Sequence, residues 1–189
     1  MPDAQPVTLP DSGAGRPHAT WDISAETDQT PVAEALFREY YTEVAGRYHT
    51  LHGFAPITPE EVDEDLVAYP TGQLVPPAGV LFVVRHEGEP AACAGLLLID
   101  GGRTAELKRV FVRAPWRGRG AARVLMDVLE RRAVELGAER MRLDTRQDLS
   151  EAVALYRAYG YEEIPAYKED PYSNLFFEKR LVEGGGQAG

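Results

Sequence analysis

R-A-P-W-R-G-R-G-A-A-R, residues 113–123, stands between the apolar run L-K-R-V-F-V (107–112) and the run V-L-M-D-V-L (124–129). The first run has the composition of a strand and the second the spacing of a helix. A strand that ends in a glycine turn and enters a helix gathers unpaired backbone N–H groups and the positive end of a helix dipole at one point. That is an anion site. Gly118 and Gly120 remove the Cβ atoms that would hold a phosphate away from the amides, and Arg117, Arg119 and Arg123 offer charged donors. A pyrophosphate is the natural guest. From the turn alone, a surface loop with solvated arginines stands equally beside that reading.

The rest of the chain sharpens the contrast. Its 189 residues carry 20 basic and 30 acidic side chains, a net charge of −10, with 44% apolar residues. Between Leu107 and Met126 lie six basic residues and no acidic one, leaving 14 basic and 30 acidic elsewhere. A local basic patch therefore sits on an acidic body, which opposes general binding to nucleic acid or an anionic membrane. An R-G-R-G core that reads nucleic acid is usually part of a basic disordered segment, whereas this one is set between core elements. Neither G-x-x-x-x-G-K-[ST] nor an early G-x-G-x-x-G occurs, so P-loop and dinucleotide-binding readings lack their motif. The single Cys93 forms no intrachain disulfide, four scattered histidines lack zinc spacing, and no apolar stretch has the length of a signal core or membrane span. These features lead to the expectation of a soluble cytoplasmic protein without a metal.

Composition divides the chain simply. Residues 1–18 and 183–189, rich in Pro, Gly and small polar residues, are expected to form a disordered N-terminal tail and a flexible C-terminal tail around a single domain at 19–182. T-W-D-I-S-A-E-T alternates as a strand. Thr30-Pro31 opens a helix with Val32, Leu36, Tyr40 and Val44 recurring every four positions, and Thr58-Pro59 opens a second, shorter one. Three strands follow (G-V-L-F-V-V-R-H, A-A-C-A-G-L-L-L-I-D, T-A-E-L-K-R-V-F-V), then a helix over 119–136 ended by Gly137. R-M-R-L-D-T, a helix capped by Asp148 with Glu151 three residues on, and strands at Y-E-E-I and N-L-F-F-E-K-R-L complete the chain. The order is β-α-α-β-β-β-α-β-α-β-β, an α/β (α+β) fold with a mixed, mostly antiparallel sheet of about seven strands and about four helices.

With both elements in place, Arg117-Gly118-Arg119-Gly120-Ala121-Ala122 resembles the R/Q-x-x-G-x-G/A signature of the GNAT superfamily of acetyl-CoA-dependent N-acetyltransferases. A-L-Y-R-A-Y-G-Y, residues 154–161, resembles that family's A-x-x-L-Y-x-x-x-G-F segment, at the usual separation. The resemblance covers about residues 20–182, is strongest from Glu106 to Glu163, and its ending resembles a bacterial subgroup of small members. It implies acetyl-CoA as co-substrate, with the pyrophosphate on the amides of Gly118 to Arg123, Arg117 opening the motif, and the backbone of Val110, Phe111 and Val112 along the pantetheine arm. An N–H of that strand would also face the thioester oxygen.

By the same resemblance, Tyr156 is the candidate donor to the departing sulfur. A phenol of pKa ~10 protonating a thiolate of pKa ~8.5 is uphill by about 2 kcal/mol, which favours a hydrogen-bond donor over a full acid. Glu106 is the candidate base, with Asp144 and His86 as weaker ones; an exposed strand glutamate in an ion pair is the competing reading of Glu106. Tyr156 read without the resemblance is a core aromatic. The family's asparagine seven residues before the tyrosine is Leu149 here, which puts that pantetheine contact in doubt. The implied reaction is direct transfer to a primary amine, with a small-molecule acceptor first and a protein lysine or N-terminus second; a non-catalytic acyl-CoA-binding module is the rival. The resemblance implies that the first two helices and late strands (Tyr40, Tyr41, Tyr48, Tyr167 among them) wall the acceptor, with a core stripe at helical spacing as the competing reading; no nucleic acid or membrane partner is expected, and a homodimer is left open.

Overall fold

Thr30 and Thr58 start the first two helices for the same reason. Each side-chain oxygen accepts a backbone N–H of the first turn, from Ala33 and Glu61 respectively (both 3.2 Å), and each is followed by proline, whose missing N–H costs nothing there. Glu61 returns the bond to the Thr58 amide at 2.8 Å, closing a capping box. These helices are α1 (Pro31–His52) and α2 (Pro59–Ala68) in a computed structural model that describes residues 21–27, 29–69 and 73–181. The tails expected at 1–18 and 183–189 lie outside the described residues.

The remaining elements are β1 (Trp21–Glu26), β2 (Gly79–His86), β3 (Glu89–Ile99), β4 (Thr104–Val112), α3 (Ala121–Glu135), β5 (Arg140–Thr145), α4 (Ser150–Ala158), β6 (Glu162–Ile164) and β7 (Leu175–Arg180). Single 3-10 turns occupy Asp100–Gly102 and Ala114–Trp116. The seven strands hydrogen-bond in the order β1-β2-β3-β4-β5-β7-β6. The sheet is mixed: β1–β2, β5–β7 and β6–β7 are antiparallel, and β4–β5 is parallel. Both the element order and the sheet type match the expectation from sequence. No helix among the described residues is long and apolar enough to cross a membrane.

The chain forms two compact units. Among the described residues, those up to Gly95 with Arg109–Asp127 make the first, and Leu96–Lys108 with those from Val128 on make the second. In the first unit the buried face of α1 is Ala33, Leu36, Phe37 and Tyr41. The four-residue spacing expected from sequence placed Leu36 correctly but leaves Val32, Tyr40 and Val44 half-buried. The buried stripe follows Ala33, which the apolar count passed over because alanine is small. In the second unit Leu129, Ala133, Met141, Leu143 and Phe177 are buried to about the last atom, at 0–1% exposure. The N-cap of α4 falls one residue later than expected, on Leu149, which makes no side-chain bond, and both Asp148 oxygens accept from Arg146 at 2.8 Å.

Candidate active site

In the first unit the Gly118 and Gly120 backbones take φ +71° and +100°, the left-handed region where a Cβ is strained. This lets the chain turn from the 3-10 segment directly into α3. The first bond of that helix runs from the Val124 amide to Gly120 O at 3.1 Å. The amides of Gly118, Gly120, Ala121 and Ala122 therefore have no acceptor among the described residues. Nothing lies within 4 Å of the point where a Cβ on either glycine would stand. Four open donors stand at the positive end of a 15-residue helix, an arrangement of backbone alone that could cradle an anion.

The arginines around the cradle divide their work. Arg117, expected among the phosphate donors, gives Nε to Val112 O at 2.9 Å and Nη2 to Glu43 on α1. Arg113 grips Glu39 with two bonds of 2.8 and 2.6 Å and gives Nη1 to Pro90 O. Glu39 and Glu43 are one helical turn apart on α1, so this pair of arginines ties α1 to the cradle. Arg119 lies over the Trp116 ring at 5.3 Å, and that ring sits 4.6 Å from His86. His86, a minor base candidate, is thus part of an aromatic cluster with Trp21 and Trp116. Among the expected pantetheine residues, Phe111 is buried with its ring edge toward Tyr40, while Val110 and Val112 are half-buried.

The second unit holds the candidate side chains. β4 pairs with β5 over Thr104–Glu106 and Arg140–Arg142, and the ladder ends at Glu106↔Arg142. Glu106 is 5% exposed, which removes the exposed-strand reading. Its carboxylate accepts from Tyr167 Oη and Lys168 Nζ, both at 2.8 Å, and lies 3.0 Å from Lys108 Nζ. Asp144 completes the group: Lys168 Nζ is 2.6 Å away, Lys108 Nζ 3.4 Å, and Ser173 Oγ donates at 2.7 Å. Two carboxylates and two ammonium groups thus balance one another.

Burial pushes the Glu106 carboxyl upward, but the Lys108 charge and the bonds from Lys168 and Tyr167 prevail, holding it below the ordinary glutamate value. Asp144 is depressed in the same way, burial being outweighed by Lys108, Lys168 and Ser173. For Lys108 burial dominates and its ammonium is weakened, whereas Lys168 is strengthened because its bonds to Asp144 and Glu106 overcome burial. Tyr167 is raised by burial and the Glu106 charge, so it remains a phenol and a donor. Tyr156, on α4, is 5% exposed, with its ring 6.1 Å from Tyr161 and 6.3 Å from Phe177. Sequence periodicity gave no sign of Lys168, which reaches Glu106 from 62 residues away; its signal was confined to the tyrosine beside it. Among the described residues no cluster of His, Cys, Asp and Glu could hold a metal.

A strand, a glycine turn with open amides and a helix stand together in a seven-stranded mixed sheet of this order, the architecture of an α/β fold with four helices. The sequence profile described as the acetyltransferase (GNAT) family matches residues 47–161, and the chain belongs to that family. An uncharacterised N-acetyltransferase of Schizosaccharomyces pombe is 31% identical over 122 residues, 64% of this chain and 74% of its own. An IAA acetyltransferase of Azospirillum brasilense is 32% identical over 103 residues, 53% of this chain and 67% of its own. Among solved structures, a Klebsiella pneumoniae chain assigned as an acyl-CoA N-acyltransferase is 25% identical with a TM-score of 0.65, covering 87% of this chain and 99% of its own. PaiA N-acetyltransferase from Thermoplasma acidophilum, solved in complex with coenzyme A, shares the fold at 14% identity and a TM-score of 0.62, covering 85% and 99%. The protein is an acetyltransferase that uses an acyl-CoA and an acceptor.

Proposed function

We propose that the protein moves the acetyl group of acetyl-CoA to the primary amine of a small molecule, by direct attack within a ternary complex in the cytoplasm. The observation that carries this reading is the cradle: four open amides at 118–122, on glycines whose φ values a side chain resists. They suit the pyrophosphate of the acyl-CoA, with the strand backbone at Val110–Val112 beside the pantetheine and an amide of that strand facing the thioester oxygen. The neutral amine attacks the thioester carbon, the C–N bond forms, the C–S bond breaks, and the proton lost by the nitrogen passes through water to the departing thiolate. Tyr156 donates a hydrogen bond to the departing sulfur.

Magnitudes decide the part of Glu106. At pH 7 an alkylamine of pKa ~10.4 loses its proton to water at a cost of about 4.6 kcal/mol. Placing that proton on a carboxyl even at the ordinary value of ~4.3 costs about 4 kcal/mol more, and Glu106 is held below that value. Its charge, more than its basicity, is then its contribution: with Asp144 it balances Lys108 and Lys168 so that an ammonium acceptor is not repelled. The chain's net charge of −10, with 14 basic against 30 acidic residues outside the local basic patch, also favours a small cationic amine over an acidic partner.

Purified protein, acetyl-CoA and a panel of amines, read by thiol release and by mass of the product, test the proposal. We expect turnover with at least one small amine. Acetylation of proteins alone would favour a protein acceptor, and stabilisation by acetyl-CoA without any transfer would favour an acyl-CoA-binding module.

A further inference from the structure

We propose that Arg109 is the anchor for a carboxylate carried by the acceptor, so that the substrate class is an amino-acid-like amine; this rests on the amine-acetyltransferase reading above. Arg109 lies on β4 with φ +55°, a conformation rare for a side-chain-bearing residue. Its guanidinium carbon stands 4.9 Å from the Tyr41 ring centroid and 5.7 Å from that of Tyr40. Nη2 donates to Tyr69 O at 2.9 Å, a carbonyl that also accepts from Tyr41 Oη at 3.4 Å. The side chain is thereby fixed against α1 and the end of α2.

What this arginine lacks is an anion. Lys108 pairs with Glu106 and Asp144, Arg113 with Glu39 and Arg117 with Glu43, yet no carboxylate lies within 4.0 Å of Arg109 among the described residues. Its Nε is buried with no acceptor among the described residues. A buried charged donor left unmatched is costly, and a half-buried guanidinium bracketed by aromatic faces is suited to a planar carboxylate. A strained backbone that holds such a group tends to mark a ligand site.

The anion is not the pyrophosphate. From Arg109 the strand runs three more residues, about 10 Å, before the turn that leads to the cradle begins. The tyrosines that hold Arg109 come from α1 and the end of α2, the elements expected to wall the acceptor. Arg109 is therefore a specificity residue for the acceptor rather than for acetyl-CoA.

The test uses binding as well as turnover. N-acetylphenylalanine, N-acetylleucine and N-acetylglutamate are titrated calorimetrically against the full chain with coenzyme A present, each beside its α-amide. At least one acid is expected to bind about tenfold or more tightly than its amide. Arg109→Met removes that preference, Arg109→Lys restores part of it, and coenzyme A affinity stays unchanged in both. Equal binding of acids and amides, binding of none, or a preference that survives Arg109→Met overturns the proposal. Phenylalanine and phenethylamine serve as matched acceptors: transfer to the decarboxylated amine without preference for the acid removes the Arg109 assignment alone. Failure of every amine, small or protein-borne, removes the enzyme reading, while the acid–amide titration still judges Arg109.

Discussion

Replacing Gly120 by alanine separates what the cradle costs in folding from what it gives in binding. At φ +100° a Cβ brings backbone strain of about 1–2 kcal/mol, and it meets nothing within 4 Å, so no clash is added. The stiffer unfolded chain returns about 0.4–1 kcal/mol. The net loss is about 1 kcal/mol, or roughly 2–4 °C in Tm for a chain of this size. Binding suffers more, because the new methyl occupies the space a phosphate oxygen needs. Losing two charge-assisted bonds of about 1.5 kcal/mol each raises the acetyl-CoA Kd by roughly a hundredfold. Gly137→Ala is the control: φ is +87°, nothing lies within 4 Å, and the site is beyond the far end of α3, whose length is about 22 Å. It should lower Tm equally and leave Kd unchanged. Calorimetric titration beside thermal melts gives both quantities. Wild-type affinity in Gly120→Ala, or an equal loss in Gly137→Ala, refutes the cradle as the phosphate site.

Three further outcomes follow from the second unit and from the α1 tie. Tyr156→Phe should lower kcat by about a hundredfold while acetyl-CoA affinity holds, as measured by thiol release and titration. Glu106→Gln should cost about 1–3 kcal/mol, less than the full loss of a buried pair because the amide oxygen still accepts from Tyr167 and Lys168. Since the folded pKa of Glu106 is depressed, its stabilisation is present above the unfolded value of ~4.3 and is lost as pH falls through the folded one. The Tm gap between wild type and Glu106→Gln should thus be constant from pH 8 to about 5 and close below about 4, and kcat/KM should rise toward the acceptor's own pKa with no Glu106 limb. Arg117→Ala breaks a pair whose side chains are 40% and 32% exposed, so melts should fall by about 1 kcal/mol or less and acetyl-CoA affinity by far less than in Gly120→Ala.

Local chemistry was readable from sequence. The Thr-Pro starts of α1 and α2, the Gly118/Gly120 turn and the order of eleven main elements all depend on neighbours a few residues apart. What escaped was decided across long separations. Arg117 faces a choice between phosphate and Glu43, 74 residues distant, and Glu106 owes its burial and depressed pKa partly to Tyr167 and Lys168 in a loop without periodicity. Asp148 read as the helix cap, whereas the N-cap position falls on Leu149 and both Asp148 oxygens also accept from Arg146, two residues away. The unusual backbone at Arg109 has no sequence signal either, because arginine in an alternating strand reads as an ordinary outward side chain.

The most direct measurement compares acetyl-CoA with S-acetylpantetheine, which lacks the pyrophosphate and adenosine, by thermal shift. At about 100 times its Kd, acetyl-CoA should add ~2.7 kcal/mol of stability, and at the same concentration S-acetylpantetheine should add almost none. Gly120→Ala should remove most of the acetyl-CoA shift. Equal stabilisation by the two thioesters, or none by acetyl-CoA, would contradict a backbone phosphate cradle at residues 118–122.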